Sequence, residues 1–140
     1  YVKAESGTYR TYVGGVIGFM GEGNITISNV ESNINVTGST CDVGGITGIA
    51  HYGNIFENCI CTGNVTLVNA NDAGDQLEIG GIAGVWMNSK YGKVTLRKCN
   101  FTGTLKSALN GVDKSEEVAG NRFTGRKYYP NSDEGELIIE

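Results

Sequence analysis

The stretch Val13-Gly14-Gly15-Val16-Ile17-Gly18-Phe19 decides how this chain folds, because it occurs three times. It returns as Val43-Gly44-Gly45-Ile46-Thr47-Gly48-Ile49 and as Ile79-Gly80-Gly81-Ile82-Ala83-Gly84-Val85. Three glycines keep the same spacing in every copy, and apolar residues hold the first, fourth and seventh places. Self-similarity at this period is typical of a repeat architecture.

Each copy of the motif is followed by a turn and by two short runs of β character. In the first unit Gly21-Glu22-Gly23 supplies the turn, and the runs Asn24 to Ser28 and Asn33 to Thr37 alternate polar and apolar residues. Three short strands cannot enclose a core alone, whereas parallel stacking of units about 4.8 Å apart buries a continuous apolar column. The sequence therefore predicts an all-β fold, a parallel β-helix or β-solenoid of about three to four coils.

The repeats also predict how the chain is divided. The units run over about 13–42, 43–78 and 79–112, with a partial coil before residue 13, so that the solenoid occupies residues 1–112. From residue 113 to residue 140 the pattern decays, and we expect a degenerate terminal coil or a cap there. The stretch Val118 to Gly125 looks like a degraded fourth motif.

Alignment of the units predicts which residues share a column of the core. The predicted columns are Val16, Ile46 and Ile82; Val30, Cys59 and Cys99; and Ile34, Val65 and Leu105. Apolar residues three apart fit neither a flat strand nor a helix, so we expect the motif glycines to mark a bend where neighbouring backbones approach closely. These glycines are Gly14, Gly15, Gly18, Gly44, Gly45, Gly48, Gly80, Gly81 and Gly84.

Composition narrows the possible partners. The chain has 140 residues and a formal net charge of −4, so it lacks the positive charge that a nucleic-acid partner requires. No apolar run is long enough to cross a bilayer, and we expect no direct membrane insertion. No signal peptide is visible, and the sequence starts with Tyr1, which favours a processed product or an excised piece of a longer multidomain chain.

The second unit carries a resemblance to a known family. Val43-Gly44-Gly45-Ile46-Thr47-Gly48, followed by Asn58-Cys59 and Thr62-Gly63-Asn64-Val65, resembles the GLUG repeat. That repeat occurs in large secreted and cell-surface proteins of bacteria, including adhesin-like proteins and immunoglobulin-A-cleaving metallopeptidases, where it lies outside the catalytic domain. The resemblance covers Val13 to Leu105 and implies an extracellular or cell-surface module of a bacterium, without active-site residues.

The cysteines at 41, 59, 61 and 99 are the first candidates for chemistry. Cys59-Ile60-Cys61 is too closely spaced for the ligand pairs of a structural zinc site. A Cys59–Cys99 disulfide between neighbouring coils remains open, because stacked Cα atoms lie about 4.8 Å apart. We expect instead four reduced cysteines that pack as small apolar residues in the column of Val30.

Other candidates for catalysis or metal binding find little support. His51 sits in a predicted turn without a partner at triad-like spacing. The insert from Asn69 to Asp75 fails as an EF-type calcium loop, since Ala73 and Gly80 fall where oxygen ligands are required. A polysaccharide lyase or hydrolase is the alternative function, but the acids occupy different places in the units and no stacked carboxylate pair is evident. We therefore expect no enzyme, no metal and no cofactor.

Bulky residues at the motif ends are the candidates for ligand contact. Trp86 and Tyr91 both follow the third motif, and Tyr52 occupies the equivalent turn one unit earlier. Exposed aromatic rings stack on sugars or anchor protein partners. The sequence thus predicts a non-catalytic module that acts in adhesion, binding a glycan or a host protein, or that serves as a rigid spacer.

Overall fold

The computed structural model describes residues 1–5, 11–39, 41–68, 78–87, 92–118, 122–125 and 136–140. The first nine strands are β1 (Val2–Glu5), β2 (Tyr12–Gly14), β3 (Ile17–Met20), β4 (Thr26–Ser28), β5 (Glu31–Ser32), β6 (Val36–Ser39), β7 (Asp42–Gly44), β8 (Thr47–Ala50) and β9 (Ile55–Glu57). The others are β10 (Ile60–Cys61), β11 (Val65–Leu67), β12 (Ile79–Gly80), β13 (Ala83–Trp86), β14 (Lys93–Arg97), β15 (Asn100–Phe101), β16 (Leu105–Leu109), β17 (Val112–Asp113) and β18 (Glu136–Ile139). The described part of the chain has one short 3₁₀ helix, Ser115–Val118. The all-β class is confirmed.

The strands form five sheets, and each sheet takes its strands from successive units. The sheet orders are β1-β6-β11-β16-β17, β5-β10-β15, β2-β7-β12, β3-β8-β13 and β4-β9-β14-β18. Every pairing is parallel except the one between β16 and β17. The register follows the sequence repeat, since Val13 pairs with Val43 and Val43 pairs with Ile79.

The glycine motif forms a tight corner between the sheets β2-β7-β12 and β3-β8-β13. A Cβ added to Gly44 would strike the Thr47 carbonyl oxygen and would lie 2.6 Å from Gly84 N of the next unit. A Cβ on Gly84 would lie 2.6 Å from Val43 N. The two sheets therefore approach backbone to backbone, which only glycine permits. Gly44 and Gly84 thus lie at the bend and at a point of close backbone approach.

The core is a continuous apolar column between the sheets. Fully buried side chains include Val36, Val43, Ile46, Phe56, Val65, Ile82, Val94 and Leu96. One expectation fails in part: the backbone of Val16 stacks on Ile46 through a 3.1 Å hydrogen bond, yet the Val16 side chain is 48% exposed. The reason is positional, because no described strand covers the outer side of the first unit at this corner.

A second expected column is offset by two residues. Val65 pairs with Leu105 as predicted, but its partner in the first unit is Val36 rather than Ile34. The Ile34 carbonyl instead lies against Gly63, where an added side chain would collide with it. The offset arises because the same number of residues separates the column of Val30, Cys59 and Cys99 from this sheet in every unit. Ile34 is therefore opposed by a glycine and not by an apolar residue.

The end of the chain continues the stack and closes one of its sheets. Thr124 forms a parallel bridge with Ala83, and β18 pairs along the whole of Lys93 to Leu96. The described part of the degraded fourth motif thus occupies the place that a fourth motif would take. In contrast, β17 turns back antiparallel on β16, which ends the first sheet.

Candidate functional site

Of the three aromatic residues suggested by the sequence, the structure describes Trp86 and Tyr52, and neither is fully exposed. Trp86 is only 9% exposed and belongs to the core, because it ends β13 with its side chain against the apolar column. Trp86 therefore does not offer the exposed ring on which that suggestion depended. Tyr91 lies outside the described residues. Tyr52 is half-buried in its turn, where a hydrogen bond with Glu22 is the main cause that raises the pKa of its hydroxyl.

An exposed polar surface lies instead along β5-β10-β15 and the segments that follow these strands. We call it the ladder face. Its nine residues are all exposed and are arranged in three columns, Glu31–Ile60–Asn100, Asn33–Thr62–Thr102 and Asn35–Asn64–Thr104. Successive residues of a column are about 4.8 Å apart, the spacing of neighbouring strands.

Hydrogen bonds between units fix the last column of the ladder face. Asn64 N donates to Asn35 Oδ1 at 2.8 Å, and Thr104 N donates to Asn64 Oδ1 at 3.0 Å. The Thr104 hydroxyl donates to the same Asn64 oxygen at 2.8 Å. The amide oxygens of Asn35 and Asn64 thus accept hydrogen bonds from the neighbouring unit, and these bonds hold the side chains of the column in place.

The sequence contains a recurring pattern of asparagines that indicates this face, although the aromatic residues were the candidates first considered for ligand contact. Asn-x-Thr triplets recur at Asn24, Asn35, Asn64 and Asn100, and two of these asparagines head the ladder. A second asparagine pair also joins successive units: Asn58 Nδ2 donates to Asn29 Oδ1 at 3.3 Å. Both residues of that pair have positive φ, 56° and 51°, which asparagine tolerates better than most residues.

All four cysteines are free, and three of them are buried. Cys59 and Cys99 occupy the same place in successive units, as predicted, because Asn100 N donates to Cys59 O at 2.8 Å. The neighbouring Cys99 thiol lowers the pKa of Cys59 to about 7. Burial raises the pKa of Cys41 to about 11 and also raises that of Cys61.

His51 is a half-buried residue beside an aromatic ring rather than a freely exposed turn histidine. Its ring centroid lies 5.1 Å from that of Phe19, and its Nδ1 is buried without a hydrogen-bond partner in the described residues. Burial lowers its pKa, and the charge of Glu22 partly opposes that shift. Burial is the larger of the two effects, so a neutral imidazole packed against the first unit is favoured.

One arrangement of acids contradicts the sequence analysis. Val43 pairs with Ile79, so Asp42 and Glu78, which precede them, are stacked in successive units. A stacked carboxylate pair was not expected, because the acids considered there occupy different places in the units and Glu78 was not among them. Both side chains are buried, at 0% and 2% exposure, so they do not face a surface on which a polymer would bind.

The metal sites and the membrane span considered from the sequence can be compared with the described residues. Within the described ranges, no group of three or more His, Cys, Asp or Glu side chains is arranged to hold a metal ion. The insert considered for calcium, Asn69 to Asp75, lies outside these ranges. Among the described residues, no helix is long and apolar enough to span a membrane.

Comparison with known proteins adds no relative. No protein-family model matches the chain, and comparisons with curated proteins and with solved structures find no match either. The resemblance to the GLUG repeat therefore rests on the residues quoted for it.

Proposed function

We propose that this chain is a β-solenoid module of the GLUG-repeat type from a bacterial cell-surface or secreted protein, and that it binds a neutral polysaccharide without cleaving it. The observation that carries the proposal is the ladder face, a regular array of exposed amides and hydroxyls on stacked, in-register units. The binding role is one of adhesion, in which a stiff module presents the same shallow contacts several times.

The stacking supports a solenoid as the scaffold. Each of the four parallel sheets that cross the units takes one strand per unit, and the chain advances by one strand spacing per turn. Backbone hydrogen bonds between units, such as Ile46 N to Ile82 O at 3.0 Å, run along the same axis as the apolar column. A repeat stack of this kind is stiff along its axis, because every unit is bonded to both neighbours.

The chemistry of the ladder face favours a glycan over a protein partner. Protein interfaces depend on aromatic and arginine anchors, and the nine residues of this face include neither. Glu31 is the single charged residue of the nine, which favours a neutral polymer. Amide and hydroxyl groups instead pair with the many hydroxyls of a sugar chain, and Ile60 offers a small apolar contact to a ring face.

The test is binding of the purified chain to immobilised neutral polysaccharides, with release of reducing sugar measured in parallel. The variant Asn33→Ala/Thr62→Ala/Thr102→Ala removes the middle column of the face, and we expect it to lower binding at least tenfold. The matched control, Thr37→Ala/Thr66→Ala, removes half-exposed hydroxyls from another sheet and should bind as the parent does.

The outcomes separate the proposal from its competitors. Equal loss in both variants would mean that the ladder face is not the site. Release of reducing sugar would replace the binding module with a carbohydrate-active enzyme. Failure of the parent chain to bind any neutral polysaccharide would contradict the proposed ligand and leave the spacer role.

A further inference from the structure

Two cysteines of successive units are positioned to be joined. Ile60 pairs with Asn100 in parallel register, and the preceding residues in the two units are Cys59 and Cys99. In-register residues of neighbouring parallel strands have Cα atoms about 4.8 Å apart, within the 4.4–6.8 Å that a disulfide usually spans. Both side chains point inward, where Cys59 is fully buried and Cys99 is partly buried.

The two thiols also affect each other's ionisation, although each donates its hydrogen bonds to backbone carbonyls, Cys59 Sγ to Ile27 O at 3.4 Å and Cys99 Sγ to Phe56 O at 3.5 Å. The neighbouring Cys99 thiol lowers the pKa of Cys59, and Cys59 raises the pKa of Cys99. Sulfur in the thiolate form is the nucleophile of disulfide chemistry. The lowered pKa therefore suits Cys59 to the second step of disulfide formation, its attack on a mixed disulfide at Cys99.

The other two cysteines differ in both respects. Burial raises the pKa of Cys41 and of Cys61, which keeps each of them as an unreactive thiol. In parallel register Cys61 faces Ser32 on one side and Phe101 on the other, so neither neighbour in its column supplies a second sulfur. Selective oxidation of one pair out of four cysteines is thus expected from the fold.

We propose that Cys59 and Cys99 form a reversible disulfide that fastens the second unit to the third when a disulfide oxidant such as oxidised glutathione is present. Cys99, the more accessible sulfur, first gives up its proton and then attacks one sulfur of the oxidant as the thiolate, which breaks the S–S bond of the oxidant and releases one glutathione. Cys59 then attacks Cys99 Sγ, forms the protein disulfide and expels the second glutathione. Two electrons pass to the oxidant, and the two thiol protons go to the two glutathione sulfurs.

The experiment exposes the folded chain to oxidised glutathione, then denatures it in the presence of an alkylating reagent and counts the alkylated thiols, with an unexposed sample as the reference. The reduced chain should show its four thiols, and the oxidised chain should show two and remain a monomer on a non-reducing gel. The oxidised chain should also unfold at a temperature roughly 10 °C higher, because the bond closes a long loop. Dithiothreitol should reverse both changes.

Variants taken from the repeat itself identify the pair. Cys59→Val copies Val30 of the first unit, and we expect its three thiols to survive oxidation. Cys61→Ser copies Ser32, and it should still lose two thiols. Cys99→Ser, at a partly exposed position, provides the same test as Cys59→Val if that variant does not fold.

Several results would overturn the proposal. Four thiols after oxidation of the parent, a loss of thiols that persists in Cys59→Val or Cys99→Ser, or resistance to oxidation in Cys61→Ser would each exclude this pair. A lower unfolding temperature of the oxidised chain would mean that the bond distorts the register, and it would count against a cross-link that fastens the units. None of these readouts depends on glycan binding.

Discussion

Single residues that occupy the same place in different units provide their own controls. Ile46 is fully buried in the second unit, and Val16, stacked on it, is 48% exposed. We expect Ile46→Asp to lose at least about 4 kcal/mol of unfolding free energy, because it buries an unpaired charge in the middle of the column. Val16→Asp should change stability by less than about 1 kcal/mol. Urea unfolding followed by circular dichroism measures both, and equal effects would refute the column.

The glycine corner makes a second prediction at this scale. A Cβ on Gly44 would collide with Thr47 O and approach Gly84 N to 2.6 Å, whereas a Cβ on Gly21 would meet only Phe19 Cε1 at an ordinary 3.5 Å. Gly44→Ala should therefore destabilise the chain by roughly 3 kcal/mol or more, since backbone atoms cannot move aside. Gly21→Ala should be close to neutral. A stable Gly44→Ala variant in thermal unfolding would show that the two sheets have room between them.

The paired thiols predict a dependence of stability on pH in the reduced chain. The folded pKa of Cys59 is about 7, against an ordinary value of 9.0, so between pH 7 and 9 the unfolded chain binds more protons and stability rises with pH. Above pH 9 the unfolded chain has lost both thiol protons while Cys99 keeps its own, so stability falls again. In Cys99→Val the rise of stability between pH 7 and 9 should vanish, because the thiol that lowers the pKa of Cys59 is removed while burial, which raises that pKa, remains.

Urea unfolding of the reduced protein at several pH values measures this effect as the difference between the parent and Cys99→Val. We expect the parent to gain on the order of 1–2 kcal/mol over the variant between pH 7 and 9. Ultraviolet absorbance of the thiolate gives an independent reading. A difference of zero would mean that Cys99 does not lower the pKa of Cys59.

At the scale of elements, side-chain bonds between units add to the backbone ladder. Asn64 Oδ1 accepts from both Thr104 N and Thr104 Oγ1, so Asn64→Ala should lower the unfolding free energy by about 1 kcal/mol. Asn33→Ala is the control, since Asn33 is exposed on the same face one column away. Chemical denaturation of the two variants compares them, and identical midpoints would show that solvent replaces the ladder bonds without loss.

The strands and the corner were predictable because their physical cause is periodic. Three copies of one glycine spacing indicate a repeated bend, and the pairing of Val13 with Val43 and Ile79 follows directly. The pairing of Val36 with Val65 was missed, because Ile34 and Val36 are both apolar and alternation alone does not choose between them. The equal distance of Val36 and Val65 from the column of Val30 and Cys59 would have identified the register.

The candidate site was harder to predict than the fold. Trp86 was a candidate because it is a large aromatic residue next to a polar insert. Whether such a residue is exposed depends on which side chains the next unit covers, and Trp86 is buried. The ladder face consists of small polar residues that are individually unremarkable, and they form a surface only through stacking of the units. Its asparagines were visible in the sequence, whereas their common face required the register.

For the molecule as a whole, stability should be a sum over neighbouring units. Removal of residues 43–78 would join Asp42 to Ile79, which already takes the place of Val43 in the register. Val36 would then pair with Leu105, and Ile27 with Leu96, since each pair shares a partner in the deleted unit. We expect this shortened chain to fold with its β-sheet spectrum intact and to be more stable than Ile46→Asp.

The decisive comparison is with a smaller deletion that breaks the register. Removal of residues 43–60 takes out fewer residues, but it joins Asp42 to Cys61 and leaves one unit without its glycine corner or the strand β9. The core column would be interrupted, and backbone groups of the first and third units would lose their partners, so this chain should fail to fold cooperatively. Circular dichroism and thermal unfolding of the two deletions decide between a stack of equivalent units and a single globular core. If the larger deletion were the more damaging one, the units could not be equivalent, and the solenoid proposed as the scaffold of the ladder face would have to be abandoned.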